Sequence, residues 1–355
     1  MYEKILKIIT VPIVLLTVGV CVAVNYLPQV HEKSVMAAEM ETWLEKRGTD
    51  AQSTDVSKVD VPVDIVQQDE LDGQLKIEMP AGLTKEDITI ENDYVTQTVF
   101  VSFKSDEGDY FSNHRISGSS DHIASLAYYN EGQKGVIALG LDKVYETRTD
   151  IVNGAIYFNF IDPHDIYDKV VVIDAGHGSK ASGAVKLNIE EKNIDLAIVL
   201  ELKKIFDASD KNIGVYYTRT DDSNPTFKQR ADLANRSDAD LFISIHNNSS
   251  STGTFSSLNG TQVMYSESDK SELSSKKFAS ICLHNVCKSL KSRKIGLLEG
   301  DDIYIIRSSK VPVALIEVGF MTNRAELEKL NSDEYQKKAA EGIYNAILEA
   351  FDKGY

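Results

Sequence analysis

The chain is short of cysteine and of positive charge. Its 355 residues hold three cysteines, Cys21, Cys282 and Cys287. Cys21 lies inside an apolar run. Cys282 and Cys287 share a stretch that reads as helix, where five residues rise about 7.5 Å, beyond normal disulfide reach. No disulfide framework is expected, and no CxxC or Cys/His spacing offers a metal site. Lysine and arginine number 38 against 54 aspartates and glutamates, a formal net charge of -16. That balance excludes nucleic acid as a partner, because gripping a phosphate backbone needs clustered cations. It also argues against a broad electrostatic hold on anionic polymers, which leaves specific pockets as the means of recognition. A nucleophile elbow is missing too. Ser244 precedes His246 inside a strand, so serine-hydrolase chemistry is not expected.

The amino terminus is informative. Lys4 and Lys7 precede an apolar stretch from Ile8 to Val24, extended softly through Tyr26 and Leu27. About 17 to 20 residues is the lower edge of a bilayer span. Positive charge ahead of it places the start of the chain in the cytoplasm. Residues 1–27 are therefore expected to be a cytoplasmic start and a transmembrane anchor. The alternative is a signal peptide cut at Ala37-Ala38, which lies more than ten residues past the apolar run. Either way the rest of the chain is exported.

Residues 28–60 are polar and read as a linker. From 61 to 168 the pattern changes to short β segments, among them Gln74–Met79, Val95–Phe103, Gly135–Leu141 and Ala155–Phe160, separated by Gly, Asn and Asp turns. A small all-β domain, a sandwich, is expected there. From 169 to 355 strands and helices alternate. Strands are expected at Val170–Asp174, Ile213–Thr218, Leu241–His246, Val263–Tyr265, Tyr304–Ile306 and Val313–Val318. Helices are expected at Glu191–Phe206, Thr226–Arg236, Ser271–Ser292 and Asp333–Phe351. That alternation implies an α/β domain with a mostly parallel sheet flanked by helices on both faces. Chemistry in such sheets gathers at the carboxyl ends of the strands.

Three strands end on residues suited to chemistry. Val171-Val172-Ile173-Asp174-Ala175-Gly176-His177-Gly178 sets an imidazole between two glycines. Leu241–Ile245 is apolar, apart from Ser244, until it delivers His246. Val313–Ile316 is apolar until it delivers Glu317. One histidine at a strand end is usually just a satisfied polar residue. Two histidines and a glutamate at equivalent ends of three strands converge on one rim, and imidazole plus carboxylate is a zinc ligand set. Helix 191–206 offers a further ligand. Its apolar face is Ile194, Ile198, Leu202 and Ile205, and Glu191 lies roughly 25° from the centre of that face, Glu190 roughly 75°. A carboxylate on a buried face needs a partner, and a metal can be one. His114, His122, His164 and His284 fit no such pattern.

These segments resemble the Amidase_3 family of zinc-dependent cell-wall amidases. The resemblance rests on Ile173–Gly178, Glu191–Ala197, Ser244–Asn248 and Ile316–Asn323, with support from Tyr217-Thr218-Arg219, Arg230–Asn235 and Asp302–Arg307. It covers about 169–353. By position it implies zinc ligands at His177, Glu191 and His246 and a catalytic glutamate at Glu317. It implies cleavage of the amide between N-acetylmuramic acid and L-alanine of peptidoglycan. Asn247, Arg230 and Arg307 are candidate substrate contacts, with salt bridges within the helices and sheet the more usual role for the two arginines. The all-β domain loosely resembles the AMIN accessory domain, and a protein activator is one partner it could take. Departures from the family lie in loops. Ser179-Lys180-Ala181-Ser182-Gly183 stands where Gly-Asp-Pro-Gly is usual, and His246-Asn247-Asn248 where His-Ala-Asn is usual. Two other functions compete: a non-catalytic wall-binding or regulatory protein on the same fold, and a zinc peptidase acting within the stem peptide. The complete set of four site residues speaks against the first, and product identity separates the second.

Overall fold

The computed structural model describes residues 74–355, apart from Asp106 and Ser120. The expected membrane anchor, the linker and the first residues of the β domain lie outside the described residues. Among those described, no helix is long and apolar enough to cross a membrane.

The chain divides into two compact units. In its described part the first unit spans 74–93, 97–142 and 147–160. Its strands are β1 (Leu75–Glu78), β2 (Ile88–Asp93), β3 (Thr98–Lys104), β4 (Ile116–Gly118), β5 (Ile123–Glu131), β6 (Lys134–Leu141), β7 (Glu146–Val152) and β8 (Ala155–Ile161). They form two four-stranded sheets, ordered β4-β1-β8-β7 and β2-β3-β6-β5. Alternation drives both: Leu75 and Ile77 of β1, and Val99, Val101 and Phe103 of β3, are all buried. The β7–β8 connection is Asn153-Gly154, with φ of 52° and 75°. Positive φ at both positions is what a two-residue type I′ hairpin demands.

The second unit comprises 94–96, 143–146 and 161–355. Its strands are β9 (Lys169–Ala175), β10 (Val185–Lys186), β11 (Ile189–Glu190), β12 (Ile213–Tyr217), β13 (Leu241–Asn248), β14 (Thr261–Tyr265), β15 (Lys294–Glu299) and β16 (Val313–Phe320). Its helices are α1 (Glu191–Asp207), α2 (Phe227–Arg236), α3 (Ser275–Leu290), α4 (Tyr304–Arg307), α5 (Arg324–Leu330) and α6 (Asp333–Asp352). The main sheet runs β12-β9-β13-β16-β14-β15. β12, β9, β13 and β16 are mutually parallel, while β14 is antiparallel to β16 and parallel to β15, so the sheet is mixed.

Both faces are covered. Val171, Ile173 and Ala175 of β9 pack with Ile194, Ile198 and Leu202 of α1, Phe278 of α3 and Ile343 of α6. Val170 and Val172 point the other way, to Leu233 of α2 and to Ile305 and Ile306 of α4. The strand expected at Tyr304–Ile306 is helix instead. Three apolar residues carry no period, and Ile305 and Ile306 are buried as an adjacent helical pair. Strand β15 and helix α5 were not expected.

Candidate active site

Three adjacent inner strands of the sheet, β9, β13 and β16, carry the site at their carboxyl ends. Parallel register sets His246 of β13 directly beside Glu317 of β16. A register shift between His246 and Asn248 re-aims the end of β13. On the other side Ile245 of β13 pairs with Ala175 of β9, and the chain then turns through Gly176 to His177. Gly176 is required by contact: a Cβ there would lie 2.4 Å from Cε1 of His246. Its missing side chain is the space that the imidazole fills.

His177 stands at φ 60°, in the left-handed region. Two buried arginines hold it there. Arg230, on the inner face of α2, uses all five of its N–H groups. Nη1 donates to Asp174 Oδ1 at 2.5 Å and to the Ala175 carbonyl at 2.6 Å. Nη2 donates to the His177 carbonyl at 2.6 Å and to Asn224 Oδ1 at 3.1 Å, and Nε to the Pro225 carbonyl at 3.0 Å. Arg219 donates from Nε to the Ala175 carbonyl at 3.0 Å and from Nη2 to the Gly176 carbonyl at 2.6 Å. The helix that delivers Arg230 is fixed by a capping box, with Thr226 Oγ1 accepting from the Gln229 N–H at 3.2 Å and the Thr226 N–H donating to Gln229 Oε1 at 2.9 Å. Asp174 also accepts from Thr218 and Ser244, each at 2.6 Å. Burial works against its charge, but Arg230 and the two hydroxyls hold its carboxyl below the usual range.

Glu191 opens α1 and is 5% exposed. Its Oε1 lies 3.1 Å from His177 Nε2 and 3.3 Å from His246 Nδ1, and accepts from the Asn247 N–H at 3.0 Å. Its Oε2 accepts from the Ala184 N–H at 2.8 Å. The two imidazole rings meet edge to face, centroids 4.8 Å apart. Burial opposes ionisation of Glu191, yet the hydrogen bonds to His177 and His246 drive its pKa well below the usual carboxylate value. Burial likewise opposes the imidazolium of His246, and the Glu191 hydrogen bond and charge overcome it and raise that pKa. Glu317 is the opposite case. Burial raises its carboxyl to about 7, with His246 lowering it and Glu191 raising it. Its Oε2 is buried and has no hydrogen-bond partner among the described residues.

Asp195 completes the cluster and was not foreseen. One turn beyond Glu191, it is fully buried, and one ligand atom from each of His177, Glu191, Asp195 and His246 lies within 4.8 Å of all the others. Its Oδ1 accepts from Asn247 Nδ2 at 2.8 Å, and its Oδ2 has no hydrogen-bond partner among the described residues. Burial and the nearby Glu191 charge push its pKa well above the usual value.

His177, Glu191, His246 and Glu317 are thus brought together as expected. The three candidate substrate contacts are not brought there as free groups. Arg230 is 2% exposed with no donor left over, and Asn247 is 3% exposed and faces Glu191 and Asp195. Both brace the site from behind. Arg307 is exposed on α4, where it donates to the Asp302 carbonyl at 2.6 Å and covers the Tyr304 ring. The divergent loop 179–183 is pinned by Lys192, which donates to the Ser179 carbonyl at 2.8 Å and to Asp222 at 2.9 Å.

Two imidazole nitrogens and a carboxylate oxygen crowd together, with the buried Asp195 carboxylate beside them. That donor set fits a divalent transition metal, zinc included. With a second carboxylate left unpartnered beside it, the arrangement is that of a metallohydrolase. Over residues 171–349, half of its length, the chain matches the Amidase_3 family, N-acetylmuramoyl-L-alanine amidase, and it belongs to that family. It is 38% identical over 188 residues to the uncharacterized protein YqiI of Bacillus subtilis, a match that covers 53% of this chain and 87% of the relative. It is 30% identical over 203 residues to the germination-specific N-acetylmuramoyl-L-alanine amidase of the same organism, covering 52% of this chain and 81% of that one. A solved structure of an N-acetylmuramoyl-L-alanine amidase from Clostridium difficile 630 shares 33% identity, with a TM-score of 0.49 over 53% of this chain and 98% of that one.

Proposed function

We propose that this chain hydrolyses peptidoglycan at the amide between N-acetylmuramic acid and the L-alanine of the stem peptide, with zinc held by His177, Glu191 and His246. The observation that carries this reading is the convergence of those three side chains beside an unpartnered Glu317, set in register with His246. Zinc, when bound, supplies Lewis acidity that polarises an amide carbonyl and makes water a stronger acid. Glu317 takes the proton from the attacking water and delivers it to the departing alanine nitrogen. Its carboxylate is set in register with His246 and its Oε2 is left without a hydrogen-bond partner among the described residues, so an oxygen is available to take that proton. Glu191 stays ionised and steers both imidazoles. Asn247 steers Glu191 through its backbone N–H. Arg230 and Arg219 hold the carbonyls of 175–177, which fixes the direction of the His177 ring.

The same reading makes the apolar segment near the amino terminus a membrane anchor, with the catalytic unit on the outer, wall-facing side. It makes the β unit an accessory module that takes a wall component or an activating protein. The test is digestion of purified peptidoglycan by the full chain, with and without a chelator, followed by mass analysis. Stem peptides beginning at L-alanine, lost on chelation and restored by zinc, are expected. Cuts inside the peptide would move the assignment to a peptidase, and no cleavage by folded, zinc-loaded protein would favour a binding role.

A further inference from the structure

Three segments bordering the site each contribute one side chain to a second cluster. Lys186 lies on the β10–β11 hairpin, five residues before Glu191. Phe255 follows β13, nine residues after His246, and Arg324 follows β16, seven residues after Glu317. Both cations lie over the Phe255 ring, Arg324 Cζ at 4.1 Å from its centroid and Lys186 Nζ at 5.9 Å. The ring is 37% exposed and Arg324 is exposed.

Neither cation has a carboxylate partner or a hydrogen bond among the described residues. The acids closest in sequence are engaged elsewhere. Glu326 accepts from the Gly260 N–H at 2.9 Å and the Phe320 N–H at 2.8 Å, and Glu190 lies 3.5 Å from Lys192. Fold stability does not account for the arrangement. Arg324 opens α5, where the helix dipole opposes a cation. Two like charges share one ring in a chain of net charge -16. A guanidinium lying on an aromatic face keeps its edge N–H groups free for a planar anion. The arrangement is that of a carboxylate site left open to solvent.

We infer that Lys186, Phe255 and Arg324 form a clamp at the rim of the active site that binds carboxylates on the peptide side of the substrate. The inference rests on the amidase reading above, because it is that reaction which brings a peptide to this rim. The clamp explains how so acidic a protein accepts an acidic peptide: two cations are held locally on an aromatic ring, clear of their usual partners. It also gives the rim a preference, for peptides with free carboxylates over those with carboxamides.

The test uses the zinc-loaded full chain and a Lys186→Gln/Arg324→Gln double variant. The probes are L-alanyl-D-glutamate and its counterpart with both carboxyls converted to carboxamides, with binding measured by calorimetry. Matching muramoyl peptides serve as substrates. Wild type is expected to bind the acid about tenfold more tightly than the amide at low salt. The double variant should lose that preference, as should wild type at high salt. In turnover the double variant should show KM raised about tenfold for the acidic substrate alone, with kcat unchanged. Equal binding of acid and amide by wild type would overturn the clamp, and so would a preference surviving in the double variant. Failure of the amidase reading looks different: neither muramoyl substrate is cut by wild type. Peptide binding judges the clamp in that case too.

Discussion

Glu317→Gln removes one proton-accepting oxygen and changes almost nothing else in shape. Its effect on stability can be worked from the site. In the metal-free fold the Glu317 carboxyl titrates at about 7, against an ordinary value of 4.5. Burial is the main cause, so the neutral form is the one the fold prefers. The unfolded chain releases that proton near pH 4.5 and the folded chain holds it to about 7. Stability is therefore fully present below pH 4.5, falls as pH rises through this interval, and has lost its full share above pH 7. At about 1.4 kcal/mol per unit the ceiling is about 3 kcal/mol. Glu317 is half-buried, and solvent screening trims that to about 1–2 kcal/mol. The glutamine has no proton to hold, so the variant should gain on wild type by that amount between pH 4.5 and pH 8. Urea unfolding of both proteins in chelator, at several pH values, measures it directly. Saturating zinc should shrink the difference, because a dication favours the ionised carboxylate. Turnover of the zinc-loaded variant should fall by roughly 10² to 10⁴. Identical pH profiles for the two metal-free proteins would refute the burial argument, and wild-type turnover in the variant would remove Glu317 from the chemistry.

Other consequences follow from the same contacts. Arg230→Leu leaves Asp174 buried without its cation and frees the His177 carbonyl. It should cost about 3–5 kcal/mol in chemical denaturation, and a loss under about 1 kcal/mol would show that the pair is not structural. Gly176→Ala places a methyl 2.4 Å from the His246 ring. Zinc affinity by competition titration should drop at least about tenfold while far-ultraviolet dichroism is kept. Cys282 and Cys287 are free thiols. Reductant should leave the Tm unchanged, and burial, which pushes the Cys282 thiol up, should make Cys287 the faster to alkylate by peptide mass mapping. A Tm that falls with reductant would reveal a disulfide.

The sequence was most legible where burial constrained it. Strands β9, β13 and β16 are covered on both faces, so each is an almost unbroken apolar run, and the polar residue that ends it stands out. Helical period similarly separated Glu191 from Glu190. Asp195 was readable by the same geometry, since residues four apart share a helix face, but its role is clear only with Asn247 and Glu191 around it. Arg230 and Asn247 were less legible for a different reason. A polar residue in a string does not say whether it faces substrate or a buried partner, and Asp174 and Asp195 supply those partners from far along the chain. Strand β15 was missed because it lies at the sheet edge, half-exposed, with Gly296 interrupting its few apolar residues and Lys294 and Glu299 at its ends. The antiparallel setting of β14 also left no mark in its sequence, because strand direction is decided by the connection and not by the strand's own residues.

The most direct test of the central claim is X-ray absorption at the zinc edge on the full chain carrying one equivalent of zinc. Two imidazole ligands and one carboxylate are expected. His177→Ala and His246→Ala should each remove one imidazole, and Glu317→Gln should leave the spectrum unchanged. A spectrum insensitive to both histidine variants, or one altered by Glu317→Gln, would contradict it.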